Sequence, residues 1–394
     1  MNRKQFLVLI LAVLLLGGIG AALFWQDIAS YRESGARIGA RLLPGLKVSD
    51  VAQIRLQDGK STATLVRKEK WWVVAERSDY PANFQDISDL LIKLVELKVV
   101  QSEAVGPSLL PRLNLAEPGK GEGAGTRVEL KDAAGKPLYV LTLGKVVMKK
   151  DPGNPLPIAQ DGVPAGRYVL VGSQDRVAVV SDPLNTAEAR PGRWLDKQFL
   201  KVDRIKTLTL NGEGGQQWKI TRDLEYGQWK FASGGGDLNA SAAVGAVNSL
   251  SGLAFSDVVL EPAAEAPGKS IVATAQTFDN LVYTLDLKKR KTGDEYLMQF
   301  TVTGEPPTQR PPETGEKPAD KEKRDKDFAD ARQRLAGRVA IEQALSKWTY
   351  VVDAKSLAPL IKDRPELIAP KRPPEPRGGM GLPPGMGLPP GMGR

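Results

Sequence analysis

One stretch, residues 46–100, is echoed from residue 200 onward, and this repetition constrains the fold more than any other feature of the sequence. Leu46-Lys47-Val48 recurs as Leu200-Lys201-Val202. With one gap, Val51, Ile54 and Leu56 fall against Ile205, Leu208 and Leu210. Arg67 then meets Arg222 and, after a two-residue insertion, Trp72 meets Trp229. Asn83 meets Asn239, and Leu90, Leu91, Leu94 and Leu97 fall against Ala246, Val247, Leu250 and Leu253. Each copy thus passes from alternating apolar residues, the period of a half-buried strand, to the spacing of one helix face. A chain built this way is expected to be α+β, with two tandem similar modules, each a mainly antiparallel sheet packed by one principal helix. Residues kept in both copies are expected to be core, which places Trp72 and Trp229 between sheet and helix.

In order, residues 1–5 precede an almost wholly apolar segment, 6–25, and 26–45 form a charged stalk. The first module is read as 46–192 and the second as 193–370, opened by Arg193-Trp194. Asp58-Gly59 is a hairpin turn, and Pro81 with Asn83 marks a helix entry. Its apolar face is Ile87, Leu90, Leu91, Leu94 and Leu97. Companion strands recur with Tyr283 against Tyr139 and Tyr350 against Tyr168. Three stretches lie outside the repeat. Residues 148–166 read as a long Pro/Gly/Asp-rich loop, and the insertion 305–338, Pro-rich first and then charge-dense over 317–334, is expected to be chiefly disordered, with partial helix in the charged run as the alternative. The tail 371–394, built on Gly-Met-Gly-Leu-Pro-Pro, is expected to be a disordered extension.

Twenty residues of helix span about 30 Å, the hydrocarbon thickness of a bilayer. Segment 6–25 is therefore expected to be a transmembrane helix contacting the lipid bilayer. Arg3 and Lys4 precede it, which leaves the N-terminus cytoplasmic and the bulk of the chain periplasmic. The alternative, a cleaved signal peptide, fits less well: the run is long and ends in Phe24-Trp25 without a small-x-small site.

The sequence contains no cysteine and no histidine. Disulfides, thiolate or imidazole metal sites, cysteine nucleophiles and a Ser-His-Asp relay are thereby excluded. The net charge of +9 is dispersed rather than gathered into a basic block with aromatics, so no nucleic-acid partner is expected. Glycines 119–125 and 212–215 have the wrong setting for a phosphate loop, since neither follows a strand and opens a helix. Asp86 with Asp89, and Asp50 with Asp58, are carboxylates expected on solvated surfaces rather than opposed across a cleft. No catalytic residue, cofactor or metal is expected. The aromatic side chains with a functional reading are Trp71, which alternates with Trp72 and so faces the other way, and Trp218, without an aromatic counterpart in the first copy. Both are candidate partner-binding residues.

The order of an N-terminal apolar segment, a hairpin, a Trp-Val strand and an amphipathic helix, then Leu113-Asn114-Leu115-Ala116-Glu117-Pro118, Leu143-Gly144 and Gly166-Arg167-Tyr168-Val169-Leu170-Val171, resembles a known bacterial family. It is the membrane-anchored domain of unknown function 4340, associated with gliding-motility-type ABC transport systems. The resemblance covers roughly residues 46–370. It implies a non-catalytic accessory or scaffold protein of an ABC-type envelope transport complex in the inner membrane, with protein partners in that complex. The family has no established catalytic residues to carry over, and the charged insertion departs from its pattern. Two other readings stay open: a carbohydrate- or peptidoglycan-binding envelope module using exposed aromatics, and a carboxylate-based hydrolase.

Overall fold

The computed structural model describes residues 38–69, 71–149, 162–172, 176–212, 215–311 and 315–370. The apolar segment 6–25, most of the stalk, the greater part of the 148–166 loop and the tail lie outside the described residues. Among those described, no helix is long and apolar enough to cross a membrane. The chain divides into two compact units, with the boundary between Gln198 and Phe199. Each is an α+β unit built on one antiparallel sheet.

In the first unit the strands are β1 (Gln53–Gln57), β2 (Thr62–Lys68), β3 (Trp71–Val74), β4 (Tyr80–Pro81), β5 (Val99–Ala104), β6 (Thr126–Lys131), β7 (Pro137–Lys149), β8 (Val163–Val171) and β9 (Arg176–Val180). Their order across the sheet is β4-β3-β2-β1-β6-β7-β8-β9-β5. Helix α1 (Phe84–Glu96) lies between β4 at one edge and β5 at the other, so the chain must cross the sheet through it. Ile87, Leu90, Leu91 and Leu94 recur at three- and four-residue steps and are all buried, while β1 buries Ile54 and Leu56 on alternate positions. Each such side chain taken out of water contributes about 1.5–3 kcal/mol. The helix starts where Asn83 leaves helical geometry and its side chain accepts from the amides of Gln85 (3.0 Å) and Asp86 (3.3 Å). It stops at Leu97, whose backbone is extended.

The second unit contains β10 (Ile205–Gly212), β11 (Gly215–Thr221), β12 (Lys230–Phe231), helix α2 (Ala240–Ser251), β13 (Asp257–Val259), β14 (Ile271–Thr277), β15 (Val282–Lys289), β16 (Glu295–Thr303), helix α3 (Pro318–Leu345) and β17 (Thr349–Asp353). Its order, β12-β11-β10-β14-β15-β16-β17-β13, reproduces the first sheet strand for strand, apart from the two-residue β4. The likeness extends to single hydrogen bonds. The amide of Arg67 donates to Ala52 and that of Arg222 to Lys206. Asn83 donates to the carbonyl of Trp194 and Asn239 to that of Leu367, both at 2.8 Å. Those acceptors close equivalent 3-10 turns, Pro191–Trp194 and Arg364–Leu367. Arg193 and Trp194, expected to open the second module, therefore complete the first. Trp194 is fully buried, its indole N–H donating to Glu188 O, and Arg193 grips Asp86 at 2.6 and 3.3 Å.

Strand equivalence also corrects one alignment. Tyr168 lies on β8, the counterpart of β16, whereas Tyr350 lies on β17, the counterpart of β9. Tyr350 belongs instead to a ring cluster with Phe199, Phe255 and Phe300, at 5.0 to 5.6 Å between centroids.

The insertion expected to be disordered carries most of α3, which has 28 residues and is about 42 Å long at 1.5 Å per residue. Its charge density conceals a short anchoring stripe. Val339, Glu342 and Leu345, three residues apart, are buried, whereas nearly every side chain before Leu335 is exposed. Lys, Arg, Glu and Ala are good helix formers, so the free part stays helical by propensity once the last turns are seated.

Candidate functional site

The two aromatic candidates separate cleanly. Trp71 opens β3 and is 66 % exposed, while Trp72 beside it is buried, as alternation requires. Trp218 is not at a surface. It is fully buried and its indole N–H donates to Lys362 O at 2.8 Å. It pairs across strands with Leu210, as Ala63 does with Leu56, so a buried alanine holds its place in the first unit. The cores exchange volume: α1 buries Ile and Leu, whereas α2 buries Ala243, Ala246 and Leu250. A tryptophan on the sheet fits beside a helix of small residues. The alternation of Trp218 with Ile220, both buried, was the signal in the sequence.

Trp229 departs from expectation in the opposite sense. Trp72 is core, but Trp229 is only half-buried and precedes β12 instead of lying in it. The two residues inserted before it let the chain leave the strand, and its ring lies 4.8 Å from the guanidinium carbon of Arg222.

The hairpin carrying Trp71, between β2 and β3, corresponds to that between β11 and β12. There Leu224 is 73 % and Tyr226 95 % exposed. The tip is held from within. Glu225 turns its carboxylate to Arg204, which grips both oxygens at 2.9 Å, and Arg222 donates to the Glu225 carbonyl. Its neighbours on either side consequently face solvent. The Arg204 pair holds the Glu225 carboxyl below its ordinary range.

The carboxylates weighed as acid/base pairs are engaged structurally. Asp86 is held by Arg193, Asp89 accepts from Gln85, and Asp58 accepts the amides of Lys60 and Ser61 in its turn. In the glycine run 119–125 two positions are closed by packing: a Cβ on Gly123, where φ is +78°, would stand 2.2 Å from the Pro111 carbonyl oxygen, and one on Gly125 2.5 Å from that of Asn114. Among the described residues no group of three or more acidic, histidine or cysteine side chains is placed to hold a metal.

A polar centre that sequence reasoning missed lies under α3. Glu342 is buried and accepts from the Tyr283 hydroxyl at 2.9 Å and from the Lys201 amide at 3.2 Å, with Arg338 3.7 Å away. Burial pushes the Glu342 carboxyl up, against the pull of those donors, and burial with the nearby carboxylate also pushes the Tyr283 phenol up. Arg338 bonds Asp203 at 3.1 Å, fastening the helix to the segment before β10.

A cleft of about 570 Å³ lies in the first unit among Arg41, Lys93, Glu96, Lys98 and Asp182, and is polar, with a Lys93–Asp182 ion pair on its wall. In the second unit one cleft of about 310 Å³ is bounded by Lys206, Phe278 and Leu281. Another of about 300 Å³ lies between Arg222, Trp229 and the exposed side of α2. No curated protein sequence matches this chain, and no solved structure does. A family model described as Domain of unknown function (DUF4340) matches residues 159–270, a span running from just before β8 of the first unit to just before β14 of the second.

Proposed function

We propose that this chain is a non-catalytic accessory or scaffold protein of an ABC-type envelope transport complex, anchored in the inner membrane through residues 6–25 with both units on the periplasmic side. It works by binding. One observation carries this reading: the equivalent hairpin of each unit presents large apolar side chains to solvent, Trp71 in the first and Leu224 with Tyr226 in the second. Aromatic side chains held rigidly outside the core are the common anchors of protein interfaces. The second tip is rigid because Arg204 and Arg222 hold its centre. The family match supports the reading only as far as a domain of unknown function.

The test is affinity purification of the full chain from detergent-solubilised membranes, with wild type beside Trp71→Ala and a Leu224→Ser/Tyr226→Ser double variant. Recovery of ATPase and permease subunits with wild type, reduced at least about tenfold by either variant, is the expected result. That factor corresponds to the loss of a contact worth about 1.4 kcal/mol. Retention on cell-wall material without transporter subunits would overturn the proposal in favour of a peptidoglycan-binding module, for which Trp71 would be the stacking residue.

A further inference from the structure

The second unit contains a cation, Arg222, whose hydrogen bonds all go to neutral carbonyls. Arg222 follows β11, and its Nε donates to Ile205 O at 2.8 Å while Nη1 donates to Glu225 O. Both acceptors are neutral carbonyls. The carboxylates nearby are taken by other cations. Arg204 holds Glu225 and Asp279, while Arg338 and Lys201 hold Asp203. None of the ion pairs among the described residues includes Arg222. Its guanidinium lies between two rings, 4.8 Å from the centroid of Trp229 and 5.6 Å from that of Phe278. Partial burial pulls its pKa down, against the opposing field of the nearby Glu225 carboxylate.

This cation lines a cleft of about 300 Å³ together with Trp229, Val244, Val247 and Asn248, and with two charged groups already paired elsewhere, Asp203 to Lys201 and Arg338, and Arg204 to Glu225 and Asp279. Val244 is 46 % exposed although it lies on the helix, so the cleft offers hydrocarbon on one wall and a guanidinium on the other. The first unit lacks the arrangement. Its equivalent Arg67 is exposed and donates to Ser49 O, and Trp72 stays in its strand, buried. The difference coincides with the two extra residues between Arg222 and Trp229.

We propose that this cleft binds the carboxylate of a small apolar acid, with the free Nη2 edge of Arg222 as the anion's donor and Trp229, Val244 and Val247 holding its hydrocarbon. A guanidinium matches a carboxylate in geometry and charge, and a charge-assisted bond in a partly dry cleft is stronger than one in water. The volume is at the lower end for ligand sites and takes a single side chain or its equivalent. Two sources carry that chemistry, a free branched acid and the C-terminal residue of a peptide.

The experiment is titration of the full chain in detergent by calorimetry and by ¹⁹F NMR with a fluorotryptophan label. The probes are 4-methylpentanoate, acetyl-Ala-Leu with a free C-terminus, and the same peptide as its C-terminal amide. Both acids are expected to bind and to perturb the Trp229 resonance, with the amide at least about tenfold weaker. Tighter binding of the free acid identifies a metabolite site, and tighter binding of the peptide acid a chain-end site. Arg222→Gln removes the donor but also two structural hydrogen bonds, so Val244→Asp is the decisive variant. It places a like charge in the cleft at an exposed position and is expected to weaken both acids at least about tenfold, while Val244→Asn retains most of the affinity. Equal binding of amide and acid, an unaffected Val244→Asp variant, or no binding of any probe at about 10 mM each overturns the proposal.

Discussion

Replacing Trp218 by alanine tests the second core at the residue that fills it. The side chain is fully buried, and truncating a buried tryptophan costs about 3–5 kcal/mol, from lost transfer energy and the cavity left behind. The Lys362 carbonyl also loses its donor, but Lys362 is half-exposed and water can replace the indole, so that loss adds little. The control is Trp229→Ala, where a half-buried ring and a guanidinium contact are removed, worth about 1–2 kcal/mol together. Because two units in one chain need not unfold together, a single midpoint would mix them. Peptide-resolved hydrogen exchange separates them, with the first unit as internal reference. Trp218→Ala should speed exchange of the slowest amides in β10, β14 and β15 by roughly two to nearly four powers of ten. Peptides from β1, β6 and β7 should be unchanged. If Trp229→Ala destabilises the second unit as much as Trp218→Ala does, the assignment of Trp218 as its central core residue is wrong.

Two further expectations concern backbone and charge. Gly123→Ala forces a side chain into left-handed geometry against the Pro111 carbonyl, and should cost at least about 1–3 kcal/mol in first-unit exchange, without effect on the second. Glu342 has a raised carboxyl pKa, so the folded state holds that proton to higher pH than the unfolded chain. Its contribution is therefore most favourable below the ordinary glutamate value and is lost as pH rises through the window above it. Glu342→Gln should remove that part of the pH dependence of second-unit stability, measured by urea unfolding at steps between pH 4 and pH 8. An unchanged slope would show that the carboxyl does not titrate differently on folding.

Much of each sheet was legible because its signal is local. Val51, Ile54 and Leu56 alternate, as do Ile205, Leu208 and Leu210 allowing for a gap, and all six are buried. The α1 stripe and both asparagine caps were visible for the same reason: spacing along the chain is spacing on the face. The misses share a different cause. Trp218 and Ala63 occupy one core position, and only the small residues on α2 explain how a tryptophan can stand there. That compensation joins residues far apart in sequence. The seating of α3 was hidden because one anchor, Glu342, is charged and counts as surface in any hydropathy reading. Arg222 read as one more cation among 55 basic residues, since the sequence cannot show that Arg204 has taken the carboxylates around it.

Duplication gives these misses a common meaning. Two copies with the same strand order and the same capping bonds must satisfy the same packing rules, so positions alike in both are accounted for by folding. Differences need another account, and they are of two kinds. The exchange of Ala63 for Trp218 is balanced inside the unit by a smaller helix, and it leaves nothing exposed. The longer β11–β12 connection and α3 are not balanced in that way. The first leaves Leu224, Tyr226 and part of Trp229 in solvent, and the second leaves most of a long charged helix outside the core. Neither exposure improves the stability of the second unit on its own: exposed apolar groups contribute no burial, and a solvated helix gains little beyond propensity. An unbalanced difference between otherwise equivalent copies is a place where binding should be sought, and these two, both in the second unit, add to the exposed Trp71 of the first.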